Sequence, residues 1–168
     1  MADLQFREGR EEDAAAIIDV FLACWRTSYR GVVPDPIIDS WDRASAGALW
    51  RGYLEPGSGH RVVVASSDNG VIGVVRWSNV GTDVTIESLY VHPDASGAGA
   101  GGRLVDYVRD AVGAAERIRL WVFEANAPAR RFYERHGFMP DGRRQVEDAY
   151  GEPEIGMTAV LGADGAAG

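Results

Sequence analysis

The chain has 168 residues, 46% of them apolar, enough for one domain with a sizeable core and too few for two full enzyme domains. Its 17 basic residues, every one an arginine, face 25 acidic ones for a net charge of −8, and the pI near 4.8 argues against nucleic-acid and membrane partners. No run approaches the ~18 apolar residues of a membrane span, and MADLQFREGREED lacks the basic flank and apolar stretch of a signal peptide. The expected location is therefore the cytoplasm. Arginine without lysine, beside abundant Ala, Gly and Val, suits a GC-rich bacterial genome. The single cysteine, Cys24, cannot form an internal disulfide and sits among apolar residues, where it reads as a small core side chain. No Cys/His cluster has metal-ligand spacing, so no metal is expected.

Ala14, Ile17, Ile18, Phe21 and Trp25 recur at helical spacing behind Glu11, Glu12 and Asp13, which predicts a first helix to about Tyr29. Pro34 and Pro36 break the next segment before Trp41, Ala44, Ala48 and Leu49 regain a helical rhythm. Arg61 to Ala65 reads as a strand, Ser67 to Gly70 as a hairpin turn, and Val71 to Trp77 as the partner strand. A turn near Gly81 leads to a third strand, Asp83 to Val91. Leu104, Val105, Val108, Ala111, Val112 and Ala115 then form one apolar helical stripe. Ile118 to Phe123 suits a buried strand, and Asn126 is placed to cap a helix over Ala127 to His136 that stops at Gly137. Weaker strands fall near Phe138 to Gln145 and Glu154 to Leu161. Residues 162–168, GADGAAG, read as a disordered tail after a single domain over 1–161.

A glycine cluster in SLYVHPDASGAGAGGRLVDYV lies between a strand and a helix. There, successive backbone amides and the helix dipole favour an anion, and side-chain-free residues let a phosphate approach. Gly97, Gly99 and Gly102 satisfy the G-x-G-x-x-G dinucleotide pattern, with Glu124 where a ribose ligand would fall. Against a nicotinamide-dependent oxidoreductase, His92 to Ser96 separate the strand from the first glycine, and the preceding strands are linked by hairpins instead of alternating with helices. Ser96-Gly97-Ala98-Gly99-Ala100-Gly101 more closely resembles the acetyl-coenzyme A motif Q/R-x-x-G-x-G/A of the GNAT superfamily of N-acetyltransferases. LWVFEANAPARRFYERHGF, Leu120 to Phe138, resembles that family's second motif. The resemblance is specific from about Val62 to Phe138.

The resemblance implies an α/β fold of the α+β type, with a mixed, mostly antiparallel sheet of six to seven strands flanked by about four helices. It implies acetyl-CoA as cosubstrate and transfer of acetyl to a primary amine, in a small molecule or a peptide, by direct attack; a homodimer is compatible with it. Ser96 stands where the family usually has Gln or Arg, so the loop lacks a charge. An acyl-CoA-binding sensor with little turnover is the alternative this departure keeps open. Within the motif, Ser96, Gly97, Ala98, Gly99, Ala100, Gly101 and Gly102 would meet the pyrophosphate, and Leu89, Tyr90, Val91 and Asn126 the pantetheine arm. The amide of Leu89 or Tyr90 would face the thioester oxygen, and Tyr133 would protonate the departing thiolate. Arg103, Arg130 and Arg131 are further candidates for the phosphates. Strict alternation along Asp83 to Val91 places Asp83, Thr85, Glu87 and Leu89 on one face, making Glu87 the candidate base. Trp25, Tyr29, Trp41, Trp50 and Tyr53 are candidates for the acceptor wall or the core.

Overall fold

The computed structural model describes residues 3–162, and positions 163–168 of the predicted tail lie outside them. In chain order the elements are β1 (Gln5–Glu8), α1 (Ala14–Ser28), α2 (Asp35–Ser40), α3 (Arg43–Leu54), β2 (Arg61–Ser67), β3 (Gly70–Val80) and β4 (Asp83–Val91). They continue with α4 (Ala100–Ala111), β5 (Arg117–Phe123), α5 (Ala127–Arg135), β6 (Met139–Val146) and β7 (Pro153–Val160). Seven strands form one sheet in the order β1-β2-β3-β4-β5-β7-β6. Only β4 and β5 run parallel; every other pairing is antiparallel. This is the expected mixed sheet, and its lack of alternating βαβ units removes the dinucleotide-fold reading.

Each face of the sheet carries its own core. One combines Val63, Val75, Val84, Ile86, Ile118 and Leu120 with the α4 stripe of Leu104, Val105 and Val108, all buried. The other packs Ile17, Phe21 and Trp25 of α1 and Trp50 of α3 against Val62, Val64 and Val74. Burying these apolar stripes is the dominant favourable contribution to folding.

Among the described residues there are five helices, in line with the expected four or so; the Pro34–Pro36 segment forms a turn and the six-residue α2, with Pro36 in its first turn. Two departures from the sequence expectations have local causes. The strand β1 was not expected: its four residues QFRE show no apolar alternation, and β2 supplies their pairing. The helix α4 ends at Ala111, four residues early, because the chain turns at Gly113 with φ 49°; Val112 and Ala115 still pack on the core.

Candidate active site

The β4–β5 pairing covers only Asp83–Arg117 through Ile86–Leu120. Beyond it the strands part, and a cleft of about 340 Å³ opens between them, lined by Leu89 of β4, Phe123 of β5 and Tyr133 of α5. The amide of His92 donates to the Ile72 carbonyl, and Tyr90 registers with Val74. Because antiparallel residues alternate the edge to which they turn their polar groups, Leu89 and Val91 turn theirs away from β3 and toward the cleft. The Val91 carbonyl already accepts the Cys24 thiol at 3.0 Å. Burial pushes that thiol up to about 12, so Cys24 stays protonated as a core residue.

A bulge in β4 overturns the strict alternation expected for Asp83 to Val91. Arg76 faces Ser88 whereas Trp77 faces Ile86, leaving Glu87 as the extra residue. Leu89 therefore packs with Val84 and Ile86 on the α4 side, while Thr85 and Glu87 line the cleft. Glu87 is held on several sides. It forms an ion pair with the buried Arg76, accepts the Ser78 hydroxyl at 2.7 Å, and lies 3.1 Å from His60 Nδ1. The Arg76 guanidinium also sits 3.7 Å from the centre of the Tyr53 ring.

The loop between β4 and α4 opens onto a second groove, about 480 Å³, closed on its far side by Phe132, Arg135 and His136 from the end of α5. Gly97 and Gly99 adopt φ of 83° and 80°, the left-handed conformation in which a side chain is strained. Gly99 caps α4, so the amides of Ala100, Gly101 and Gly102 occupy its first turn, where no intrahelical acceptor exists. A Cβ on Gly101 would lie 3.2 Å from the Phe132 ring, and one on Gly102 would fall on His136. These amides, open to the groove, suit a pyrophosphate. Ser96 is exposed beside them. Of the expected arginines, Arg103 lines the groove but lies over the Phe6 ring at 4.5 Å, Arg130 donates to the Glu124 carbonyl, and Arg131 is exposed outside the groove lining. Arg135, not singled out from the sequence, lines the groove and forms no ion pair among the described residues.

Asn126 caps α5 through its side chain, which accepts the Ala129 amide at 3.2 Å, and it lines the cleft. About two turns later, Tyr133 packs against Phe132 and Phe138. Its hydroxyl makes no hydrogen bond among the described residues, and burial pushes its phenol well above the usual range. A phenol in that setting keeps its proton until a strong base presents itself.

The half of the cleft expected to take the acceptor is aromatic and acidic. Trp25, Tyr29, Tyr53 and Tyr150 line it, with Trp25 stacked on Tyr29 at 4.7 Å; Trp41 and Trp50 belong to the core behind. Glu154 of β7 lies opposite Phe123 and is only 8% exposed. It accepts one hydrogen bond, from the Gln145 amide at 2.9 Å, and has no ion pair among the described residues. Burial raises its pKa, and Glu147 nearby adds to the effect. Glu154 escaped the sequence reading because Ile155, Met157 and Ala159 alternate with it, which makes its own face look solvent-exposed. Arg76 left a readable trace, a charge inside the otherwise apolar run VIGVVRW. Among the described residues no cluster of three or more His, Cys, Asp or Glu is arranged to hold a metal.

Residues 58–140, from the end of the α3–β2 connection to the start of β6, match the family model described as an acetyltransferase (GNAT) domain. A probable N-acetyltransferase of Mycobacterium tuberculosis is 29% identical over 152 residues, 84% of this chain and 83% of that protein. The chain thus carries a GNAT acetyltransferase domain. It is accordingly an acetyl-CoA-dependent N-acetyltransferase. The GNAT fold extends well past the matched residues. The PaiA N-acetyltransferase of Thermoplasma acidophilum, solved with coenzyme A, superposes with a TM-score of 0.80 at 19% identity, covering 94% of this chain and 99% of that one. A GCN5-related N-acetyltransferase from Rhodopseudomonas palustris gives 0.78 at 23% identity over 96% and 98%.

Proposed function

We propose that this enzyme acetylates a cationic primary amine that carries an apolar body and no carboxylate, by direct attack of the amine on acetyl-CoA. The observation that carries the reading is the charge of the acceptor half. Arg76, the cation lining it, is paired with Glu87, which leaves Glu154 and Glu147 as uncompensated negative charge beside an aromatic wall. An ammonium group is attracted to such a site, and a substrate carboxylate is repelled.

The chain's residues then divide the work. The loop amides from Gly97 to Gly102 and the charge of Arg135 hold the pyrophosphate. The Leu89 amide and carbonyl and the Val91 amide pair with the pantetheine arm as a neighbouring strand would, and the N-cap Asn126 lies alongside. Tyr90 directs its polar groups to β3 and so leaves the oxyanion to Leu89, whose amide meets the thioester oxygen as it gains charge; such donors are worth about 3 kcal/mol. The ammonium loses a proton to a carboxylate of the cleft. The neutral amine nitrogen bonds to the carbonyl carbon as the carbon–sulfur bond breaks, and Tyr133 gives its proton to the sulfur. The tyrosinate recovers a proton from the new amide nitrogen through water.

Calorimetric titration with acetyl-CoA beside NADH, followed by a thiol-release screen of primary amines, tests this. The expected outcome is selective coenzyme A binding and turnover with amines that lack a carboxylate. Tight binding without thiol release across the screen would overturn it in favour of a sensor.

A further inference from the structure

The cleft presents two kinds of carboxylate, and their surroundings differ in the property that matters for taking up a proton. Glu87 is neutralised by the Arg76 guanidinium, donated to by Ser78, and approached by His60. Its lone pairs are engaged by these partners, which leaves it no free oxygen for an incoming ammonium. Glu154 has neither restraint: its oxygens meet one neutral amide donor, and no cation stands beside it. A carboxylate buried in this way, facing a cleft with no charge partner, is costly to keep for stability alone. Its missing counter-charge matches the charge of the substrate already proposed.

We infer that Glu154 is the catalytic base: it binds the acceptor ammonium as its counter-ion and receives the proton that frees the nitrogen for attack. The inference rests on the amine-acetyltransferase reading given above. In the step, one N–H bond of the ammonium breaks and one O–H bond forms on Glu154; that proton later passes to solvent, accounting for the single proton released per turnover. The groups facing Glu154 are Gln145 and Glu147 from the β6 end, Tyr150 from the connection to β7, and Arg76 across the cleft, already paired with Glu87. Burial and the negative Glu147 both raise the affinity of Glu154 for a proton, which suits a base working near neutral pH. Glu87 then serves to fix Arg76 and, through it, the Tyr53 ring of the acceptor wall.

The test compares Glu154→Gln with Glu87→Gln in the full chain, with 2-phenylethylamine and 1,4-diaminobutane heading a panel of primary amines. Wild-type kcat/KM is expected to fall on the acid side along a limb set by a carboxyl above the usual glutamate range. Glu154→Gln should lower kcat/KM about 100-fold at neutral pH and remove that limb, with acetyl-CoA affinity held within twofold; Glu87→Gln should keep the limb. Glu154→Asp, still a carboxylate, should retain it too. A stability readout runs in the opposite direction from activity. The raised native pKa favours the folded state below the unfolded value and loses that advantage as pH rises through the native one, so Glu154→Gln should melt higher than wild type at neutral pH. Glu154→Gln with a wild-type limb and rate within threefold would overturn the assignment of the base while leaving the enzyme reading intact. Wild-type protein that binds acetyl-CoA and acetylates no amine of the panel would overturn both.

Discussion

The proposed coenzyme site, a glycine-loop groove and the edge of β4, is built of backbone, and the proposed acceptor half of the cleft of side chains. On one side stand the amides of Gly97 to Gly102 and the free edge of β4; on the other, an Arg76–Glu87 pair, a wall of packed aromatic rings and Glu154, which has no ion-pair partner among the described residues. A backbone site needs a particular loop shape and admits few residue types, whereas a side-chain site can be rebuilt for another amine without disturbing the sheet. The difference explains how one scaffold can hold its cosubstrate constant while its acceptor changes.

Substitutions on each side sharpen that contrast. Tyr133→Phe, which keeps the packing on Phe132 and Phe138 but removes the proton, should reduce kcat about 100-fold, close to 2.7 kcal/mol, with acetyl-CoA affinity unchanged. Wild-type kcat in that variant would make Tyr133 a packing residue. Gly99→Val forces a branched side chain to φ near 80° at the α4 cap and should weaken acetyl-CoA binding roughly 20-fold by calorimetry, with Tm lowered only modestly. Binding unchanged in that variant would remove the loop from the site. Glu87→Gln strips the buried Arg76 of its charge partner while keeping an acceptor beside it, and should cost about 1.5 kcal/mol of stability, a Tm drop near 4 °C. An unchanged melting curve would show the pair to be dispensable. Arg135→Ala should raise the Kd for acetyl-CoA about threefold at low ionic strength, with the difference fading in high salt, as expected of one exposed charge. An equal Kd at low salt would leave Ser96 uncompensated.

The same contrast separates what the sequence discloses from what it hides. The spacing of Ala14 to Trp25, the hairpin glycines, the α4 stripe and the Asn126 cap are local signals, so most helices and strands, and the glycine loop, could be read directly. What fails is whatever depends on two distant segments meeting. The bulge at Glu87 is invisible in SLYV-type alternation because it is a mismatch with β3, and it moves Leu89 to the opposite face from the one expected. Glu154 reads as a wet strand residue until the parting of β4 and β5 and the packing of Tyr150 against Trp25 and Phe123 enclose it. The strand β1 exists because β2 offers an edge, a fact with no trace in QFRE.

The sheet stops pairing at Ile86 and Leu120, so the Leu89 and Val91 amides face the cleft and not a strand. A cosubstrate that completes this ladder joins the fold as well as the reaction, and by mass action it adds about 2.7 kcal/mol of stability at 100 times its Kd. The lifetime of the folded enzyme in a cell would then follow the acetyl-CoA supply, and the protein would be most open to unfolding and proteolysis when it has nothing to transfer.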